Sequence, residues 1–281
     1  MSSTYEAERH ETLVITPPGR WSSVEIRDLW RFRELLYFLT WRDIKVRYKQ
    51  TVLGGLWAIV QPFMTMVVFT FVFNHFAKIK ADVPYPVFVL SGISVWFYFA
   101  NSVNLASNSL VANAPLITKV YFPRLIVALT PLLSGLLDFS LAFLILGGTM
   151  AYYGVVPGIQ VLLVPVFVVI ASALALGVGL ILSALNVKYR DVRYALPFLM
   201  QIWMYASPVA YPSSLVGHGL RRTIYGLNPM TGVVDGFRWA LFGSGYLRAS
   251  EVAVSVTWAV VLLAIGAVYF ARMERTFADV A

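Results

Sequence analysis

The sequence predicts an all-α membrane protein with six transmembrane helices. Of its 281 residues, 59% are hydrophobic, and the mean hydropathy is +0.72. Only 13% of the residues are charged, which is about half the usual share for a soluble domain. A soluble fold of this length has too few polar side chains to cover so much apolar surface. A bilayer removes that requirement, because lipid rather than water contacts the outside of the fold.

Six apolar segments reach spanning length, judged against the roughly 20 residues that a helix needs to cross ~30 Å of hydrocarbon. The fifth segment is short and is interrupted by Pro197, Pro208 and Pro212. The predicted spans are Leu56–Ala77, Pro86–Asn108, Leu125–Tyr153, Ile159–Leu185, Ala195–Pro212 and Glu251–Ala271.

The distribution of positive charge predicts the orientation of these spans. With six crossings, both termini lie on one side, and 16 of the 22 Lys and Arg residues fall in segments on that side. Cytoplasmic loops carry such an excess of Lys and Arg. Both termini are therefore expected in the cytoplasm.

The N-terminal region divides into a polar tail, residues 1–27, and a predicted amphipathic interface helix with its following loop, residues 28–55. The tail lacks the apolar region of a signal peptide. A basic amphipathic helix directly before a span is typical of a helix on the anionic inner leaflet; the alternative is an ordinary solvated helix. Its apolar stripe is Trp41, Ile44 and Tyr48, and its basic stripe is Arg42, Lys45 and Lys49. The six-span domain, 56–271, and a cytoplasmic tail, 272–281, complete the chain.

The segment before the last span, residues 213–250, is too apolar to extend freely into water and too interrupted to span twice. We expect a pair of short re-entrant helices there. Such backbone is tolerated at membrane depth only where protein or a water-filled cavity satisfies its polar groups.

The sequence predicts no catalytic residue, metal site or cofactor in this chain. It has no cysteine, no GxxxxGK(S/T) phosphate loop and no HExxH or GxSxG pattern. Its net charge of +8 is dispersed between apolar runs, which argues against nucleic-acid binding. Asp138 is the one clear acid within a predicted span. It is either functional, as charges within a membrane often are, or hydrogen-bonded at a helix interface.

Two features of the spans carry polar or small residues at helical spacing. The second span places Ser91, Ser94, Tyr98, Asn101 and Asn108 on one face. Hydroxyl and amide groups beside aromatic rings suit sugar hydroxyls along a translocation path; the alternative is polar contact between helices. The fourth span repeats a small residue every four positions, which predicts close helix packing. These residues are Ala171, Ala175, Gly179 and Ser183.

Two cytoplasmic loops combine aromatic with basic residues, which favours docking of a soluble partner over a plain charged loop. The first has a proline near each end of a stretch long enough for two helical turns. Its candidate residues are Asn113, Pro115, Leu116, Lys119, Val120, Tyr121 and Arg124. Those of the second loop are Arg190, Asp191 and Arg193.

Four stretches together resemble the permease subunits of polysaccharide-exporting ABC transporters of the type-2 class, and the resemblance runs from about Leu35 through most of the chain. The first stretch reads TWRDIKVRYKQTVLG from Thr40, and the second reads NAPLITKVYFPR from Asn113. The third runs from Tyr189 to Pro212, and the fourth combines LNPM from Leu227 with DGFR from Asp235.

The resemblance implies a homodimer with one continuous pore and two copies of a separate ATPase subunit, which would hold ATP and Mg, in the cytoplasmic (inner) membrane. It implies that residues 113–124 form the coupling helix, and that the outer re-entrant pair guards the exit. Lipid-linked polysaccharide would enter beside Leu53 and Gly54. The implied interface helix and entrance residues are Trp41, Arg42, Lys45, Arg47, Lys49, Leu53 and Gly54.

The substrate remains open among several classes. O-antigen is the first choice, and capsule or teichoic acid is the alternative within the same family. A small-molecule or drug exporter of the same class is another. A membrane-embedded glycan transferase needs an acid/base or metal-binding constellation near the membrane interface, and the sequence shows none.

Overall fold

The computed structural model describes residues 26–49, 54–76, 78–79, 81–217, 219–243, 245 and 247–274. These residues form helices and connecting turns, without a strand among them, which confirms the all-α class. The helices are α1 (Ile26–Arg31), α2 (Arg33–Lys49), α3 (Trp57–Phe69), α4 (Tyr85–Ala112), α5 (Ala114–Ile117), α6 (Leu125–Tyr152), α7 (Val164–Lys188), α8 (Val192–Tyr205), α9 (Leu220–Gly226), α10 (Pro229–Phe242) and α11 (Ala249–Glu274).

Four of the predicted spans are helices long and apolar enough to cross a bilayer: α4, α6, α7 with the 3-10 turn before it, and α11. The first predicted span is α3, with 13 residues, continued by a 7-residue π-helix over Thr70–Phe76. The count of six crossings stays a prediction, as do the predicted domain boundaries.

The fifth predicted span, Ala195–Pro212, is displaced in the structure. Helix α8 begins at Val192 and ends at Tyr205. The chain then turns, and the Tyr211 hydroxyl donates to the Tyr205 carbonyl at 2.9 Å. Pro208 is the physical reason, since a proline has no amide hydrogen to continue a helix.

Helix α4 is the most deeply buried of the four long helices. It packs against α6, α7 and α10, around large buried side chains that include Trp96, Phe99 and Phe237. Helix α7 lies between α4 and α11. A Cβ atom added at Gly179 would lie 2.7 Å from the Cβ of Ala106, so α4 and α7 approach closely. The small-residue stripe therefore packs helices together, as its spacing predicts.

The segment before α11 folds into two short helices, α9 and α10, as expected from its apolar content. Asn228 caps α10 by accepting a 3.0 Å hydrogen bond from the Met230 amide. Nearly all of α10 is buried against α4, α7 and α11. The re-entrant position of α9 and α10 in a membrane stays a prediction.

Candidate functional site

The first aromatic–basic loop follows α4 directly and contains one short helix, α5. Helical hydrogen bonds continue past α5, from the Thr118 amide to the Ala114 carbonyl at 3.0 Å and from the Val120 amide to the Leu116 carbonyl at 3.1 Å. The helical bonds end there, before Pro123, and α6 begins at Leu125. The helical bonding thus covers residues 113–120, which is about two turns at 3.6 residues per turn.

Helix α2 supports this loop. The Arg42 guanidinium donates to the Asn113 side-chain oxygen at 2.8 Å and to Asp43 at 2.9 Å. Leu39, with 2% of its surface exposed, lies in an apolar cluster with Phe122, Ile126 and Val127. Leu116 and Ile117 pack against the same cluster. Both ends of the loop are therefore fixed to the interface helix.

Leu116 is partly buried and packs against the cluster that contains Leu39 and Phe122. Tyr121 has 75% of its surface exposed, and Val120 and Lys119 are exposed as well. The role of these residues in binding a partner stays a prediction.

The second aromatic–basic loop lies at the same end of the helix bundle. Ile117 of the first loop and Val187 at the end of α7 pack against one cluster that contains Leu110 and Ala184. Tyr189 and Tyr194 are exposed, with Lys188 and Arg193 positioned 5.3 and 5.1 Å from the respective ring centres. Arg190, Asp191 and Arg193 are exposed as well. The structure thus brings the two loops together into one surface. The sequence predicts that it is cytoplasmic and binds a soluble partner, and for that prediction it is called here the cytoplasmic docking surface.

Asp138 contacts the far end of α2. Arg47 donates to one carboxylate oxygen of Asp138, and the Tyr48 hydroxyl donates to the other. Asp138 is therefore a hydrogen-bonded acid at a helix interface, as the second alternative predicts, and a role in transport stays a prediction. From Ile126 to Asp138, α6 rises about 18 Å at 1.5 Å per residue. Helix α2 therefore follows α6 rather than contacting it at one point.

Exposed aromatic residues occur along this part of the chain, namely Trp30 of α1 and Tyr37, Phe38 and Trp41 of α2. Lys45 lies 5.6 Å from the ring centre of Trp41, and Arg33 lies 5.3 Å from that of Trp30. Aromatic and basic side chains together favour the headgroup region of a membrane. Lys49 is exposed too. At the predicted entrance, Leu53 lies outside the described residues, and Gly54 begins a 3-10 turn that ends at Leu56.

The predicted translocation stripe on α4 is mostly internal. The buried Ser91 and Ser94 hydroxyls donate to the carbonyls of Phe88 and Leu90, each at 2.7 Å. The buried Tyr98 hydroxyl lies 2.6 Å from that of Ser172 on α7. Neighbouring helices cover these three side chains, so the three do not line an open path in a single copy. The alternative, polar contact between helices, describes Tyr98 and also Ser91, which accepts from Arg238 of α10 at 3.3 Å. The Ser94 bond stays within α4.

The remaining open face of α4 lies in its second half. Asn101 and Leu105 are exposed, and Phe97, Asn104 and Asn108 are partly exposed. Asn108 donates to the Asn104 carbonyl at 2.8 Å and accepts from Asn186 at 3.1 Å. The neighbouring α8 packs Trp203 against Phe99, with ring centres 5.2 Å apart. It exposes Phe198, Gln201, Ile202 and Tyr205. Sequence reasoning missed Gln201, a lone amide in an apolar helix.

A second missed feature is a buried polar network under α9 and α10. Arg238 donates to the carbonyls of Phe88, Pro208 and Val209, the last at 2.6 Å. Asp235 accepts from the Ser213 hydroxyl. On the same side of the fold, Arg222 forms a 2.7 Å ion pair with Glu251. The sequence signal for this network was the spacing of Asp235 and Arg238, which lie about one helical turn apart.

Comparison with known proteins places the chain in a family. The ABC-2 type transporter family matches residues 34–242. The chain is 31% identical, over 257 residues, to the O-antigen export system permease protein RfbA of Myxococcus xanthus, covering 89% of this chain and 96% of that protein.

Two further relatives cover similar lengths. The protein of the same name from Klebsiella pneumoniae is 27% identical, with 88% of this chain and 95% of the relative covered. The polysialic acid transport protein KpsM of Escherichia coli is 24% identical, with 83% and 91% covered. The match and the long apolar helices agree: the chain is a multi-pass membrane protein that belongs to the ABC-2 type transporter family.

Proposed function

We propose that this chain is the membrane-spanning subunit of an ATP-driven exporter that moves a lipid-linked polysaccharide across the cytoplasmic (inner) membrane. The observation that carries the proposal is the similarity over nearly full length to an O-antigen export permease. O-antigen is the preferred substrate over capsule, since the relative named for polysialic acid transport is less similar. Teichoic acid, small molecules and glycan transfer have no support among these relatives.

The proposed topology has six crossings, formed by α3 with its π-helix, α4, α6, α7, α8 and α11, with both termini in the cytoplasm. Helices α9 and α10 re-enter from the outer face. The buried network around Arg238 supports this position, because it satisfies the carbonyls of the turn after α8 without water.

The proposed assembly is a homodimer with its pore between the two copies. Side chains that line such a pore must be open on a single copy, because the two-fold axis passes outside each chain. Asn101 and Gln201 meet this condition. Their amides provide donors and acceptors for sugar hydroxyls, and Phe198 and Tyr205 provide apolar surface for sugar rings. Asn108 lies beside this face.

ATP and Mg are proposed to bind a separate ATPase subunit, present in two copies. It would contact the cytoplasmic docking surface through Tyr121 and Val120, with the charged groups around them setting register. These groups are Lys119, Arg124, Arg190, Asp191 and Arg193. Movement of the loop would pass through the Arg42–Asn113 bond to α2, and from α2 through Asp138 to α6 and the entrance at Leu53 and Gly54.

A deletion strain tests the proposal. Without this subunit, polysaccharide should disappear from the cell surface while its lipid-linked form accumulates in the cytoplasmic membrane, and the intact gene should restore export. The lipid and sugar composition of the accumulated polymer separates O-antigen from capsule. Normal surface polysaccharide in the deletion strain would contradict the proposed function.

A further inference from the structure

A crevice of about 760 Å³ lies between α3 and α6, away from the open faces of α4 and α8. It is lined on α3 from Phe63 to His75 and on α6 from Ile145 to Tyr153, with Pro86 of α4 beside its outer end. Its volume falls in the range of small-ligand sites, roughly 300–1,000 Å³. We call it the α3–α6 crevice.

Local backbone features make the space. Over Thr70–Phe76 the chain adopts a π-helix, a conformation that often occurs at functional sites. On the facing helix, Gly148 has no side chain, and a Cβ atom added there would meet nothing within 4 Å. The crevice is therefore open because one helix widens and the other lacks a side chain at the same level.

The lining changes in polarity along its length. The inner part is apolar and contains Phe63, Met66 and Val67, while the outer mouth carries His75, Tyr152 and Tyr153. From Phe63 to Phe69 the α-helix rises roughly 9 Å at 1.5 Å per residue, and the π-helix, with its smaller rise, continues the lining to His75. The whole lining is on the order of half of a ~30 Å hydrocarbon core. Tyrosines at the mouth match the aromatic belt of a membrane interface. The crevice thus has the depth and polarity of one lipid leaflet.

Thr70 adds an independent observation. The residue lines the crevice. Its hydroxyl oxygen is buried and has no hydrogen-bond partner among the described residues. A buried hydroxyl without a partner costs free energy that a bound acceptor recovers. Thr70 lies five residues before His75, just below the polar mouth of the crevice. The ester groups of a glycerophospholipid lie at this depth, beneath its phosphate.

We infer that the α3–α6 crevice binds one glycerophospholipid of the surrounding leaflet. An acyl chain lies along Phe63, Met66 and Val67, an ester oxygen accepts from Thr70, and the headgroup contacts His75 and the two tyrosines. The site is separate from the proposed polysaccharide path, so the inference does not depend on which molecule is exported.

Adjacent glycines on α6 provide a matched test. Both Gly147 and Gly148 have open space at Cβ, but only Gly148 lines the crevice. The full-length protein is reconstituted in nanodiscs of phosphatidylethanolamine and phosphatidylglycerol and then released from them. Native mass spectrometry counts the phospholipid molecules that each chain retains. Gly148→Phe should lose one retained phospholipid per chain, whereas Gly147→Phe should match the wild type. Equal retention in all three proteins overturns the inference.

A second pair keeps the test informative if Gly148→Phe fails to fold. Thr70→Val should release the lipid several-fold faster during delipidation. Its control, Thr65→Val, should not, because the Thr65 hydroxyl donates to the Gln61 carbonyl at 2.8 Å, away from the crevice. Unchanged release from Thr70→Val overturns the inference. Loss of a dimer without loss of lipid in Gly148→Phe also overturns it, since the crevice would then be a contact between two copies.

Discussion

Arg42 of α2 donates a 2.8 Å hydrogen bond to Asn113, the residue that opens the cytoplasmic loop. If movement of the loop passes through this bond, Arg42→Ala should lower export several-fold while the ATPase subunit still co-purifies. Arg33→Ala is the control, because Arg33 lies at the other end of α2 and contacts its neighbour Trp30, with its guanidinium 5.3 Å from the ring centre. Equal export in both variants would show that coupling does not use this bond.

Tyr121 and Leu116 should have separable effects, although they belong to one loop. Tyr121→Ala removes an exposed aromatic side chain and should weaken ATPase docking by about 2 kcal/mol if it is a hot spot, with the melting temperature of the permease unchanged. Leu116→Ala removes part of an internal cluster and should lower that melting temperature by a cavity effect. Thermal unfolding and co-purification, measured side by side, distinguish the two. A Tyr121→Ala protein that retains its ATPase fully would place docking on the Arg190–Tyr194 loop.

The Asp138 interaction predicts a non-additive double substitution. Asp138→Leu leaves Arg47 without its acidic partner in a half-buried position, so it should destabilise the fold by about 2 kcal/mol. Adding Arg47→Leu should recover much of that loss, because no unpaired charge remains. Denaturation in detergent of the wild type, the two single variants and the double variant gives the coupling free energy between Asp138 and Arg47. Additive effects would mean that the pair contributes nothing of its own.

The exposed amides on the proposed path and the buried Tyr98 hydroxyl outside it should respond differently to substitution. Asn101→Leu combined with Gln201→Leu should reduce polysaccharide export strongly while leaving assembly intact, since both side chains are open. Tyr98→Phe should cost about 1 kcal/mol of stability through its lost bond to Ser172 and leave export unchanged. Full export by the double variant would remove this face from the path.

Reporter fusions test the topology. A reporter fused at Ala281 should show cytoplasmic activity, and a reporter fused near Gly217 should show periplasmic activity. Six crossings place these two positions on opposite sides of the membrane. Periplasmic activity at Ala281 would overturn the orientation inferred from Lys and Arg placement.

The sequence predicted the helices better than the environment of their faces. Apolar runs located α4, α6, α7 and α11, because length and hydropathy are properties of one segment. The same periodicity placed Ser91, Ser94 and Tyr98 on one face of α4, but could not reveal that α6, α7 and α10 cover that face. Spacing fixes which side chains share a side, and only tertiary packing decides what covers them.

The cytoplasmic loop shows the same distinction. Its two prolines and its aromatic–basic composition pointed to a defined surface, and the structure provides one. Pairing of Asn113 with Arg42, and of Asp138 with Arg47, joins residues more than seventy positions apart. No local sequence pattern predicts a contact between residues so far apart. The sequence therefore left the role of Asp138 open.

The close approach of α7 and α11 limits which parts of the protein can move. A Cβ atom added at Gly177 would lie 2.6 Å from the backbone of Leu262, and one at Gly266 would lie 2.6 Å from the Gly177 carbonyl. Backbones packed this tightly cannot slide past each other without breaking contact. We therefore expect these two helices to move together in the proposed transport cycle. Displacements that open and close the proposed pore would then fall to the shorter helices α3 and α8.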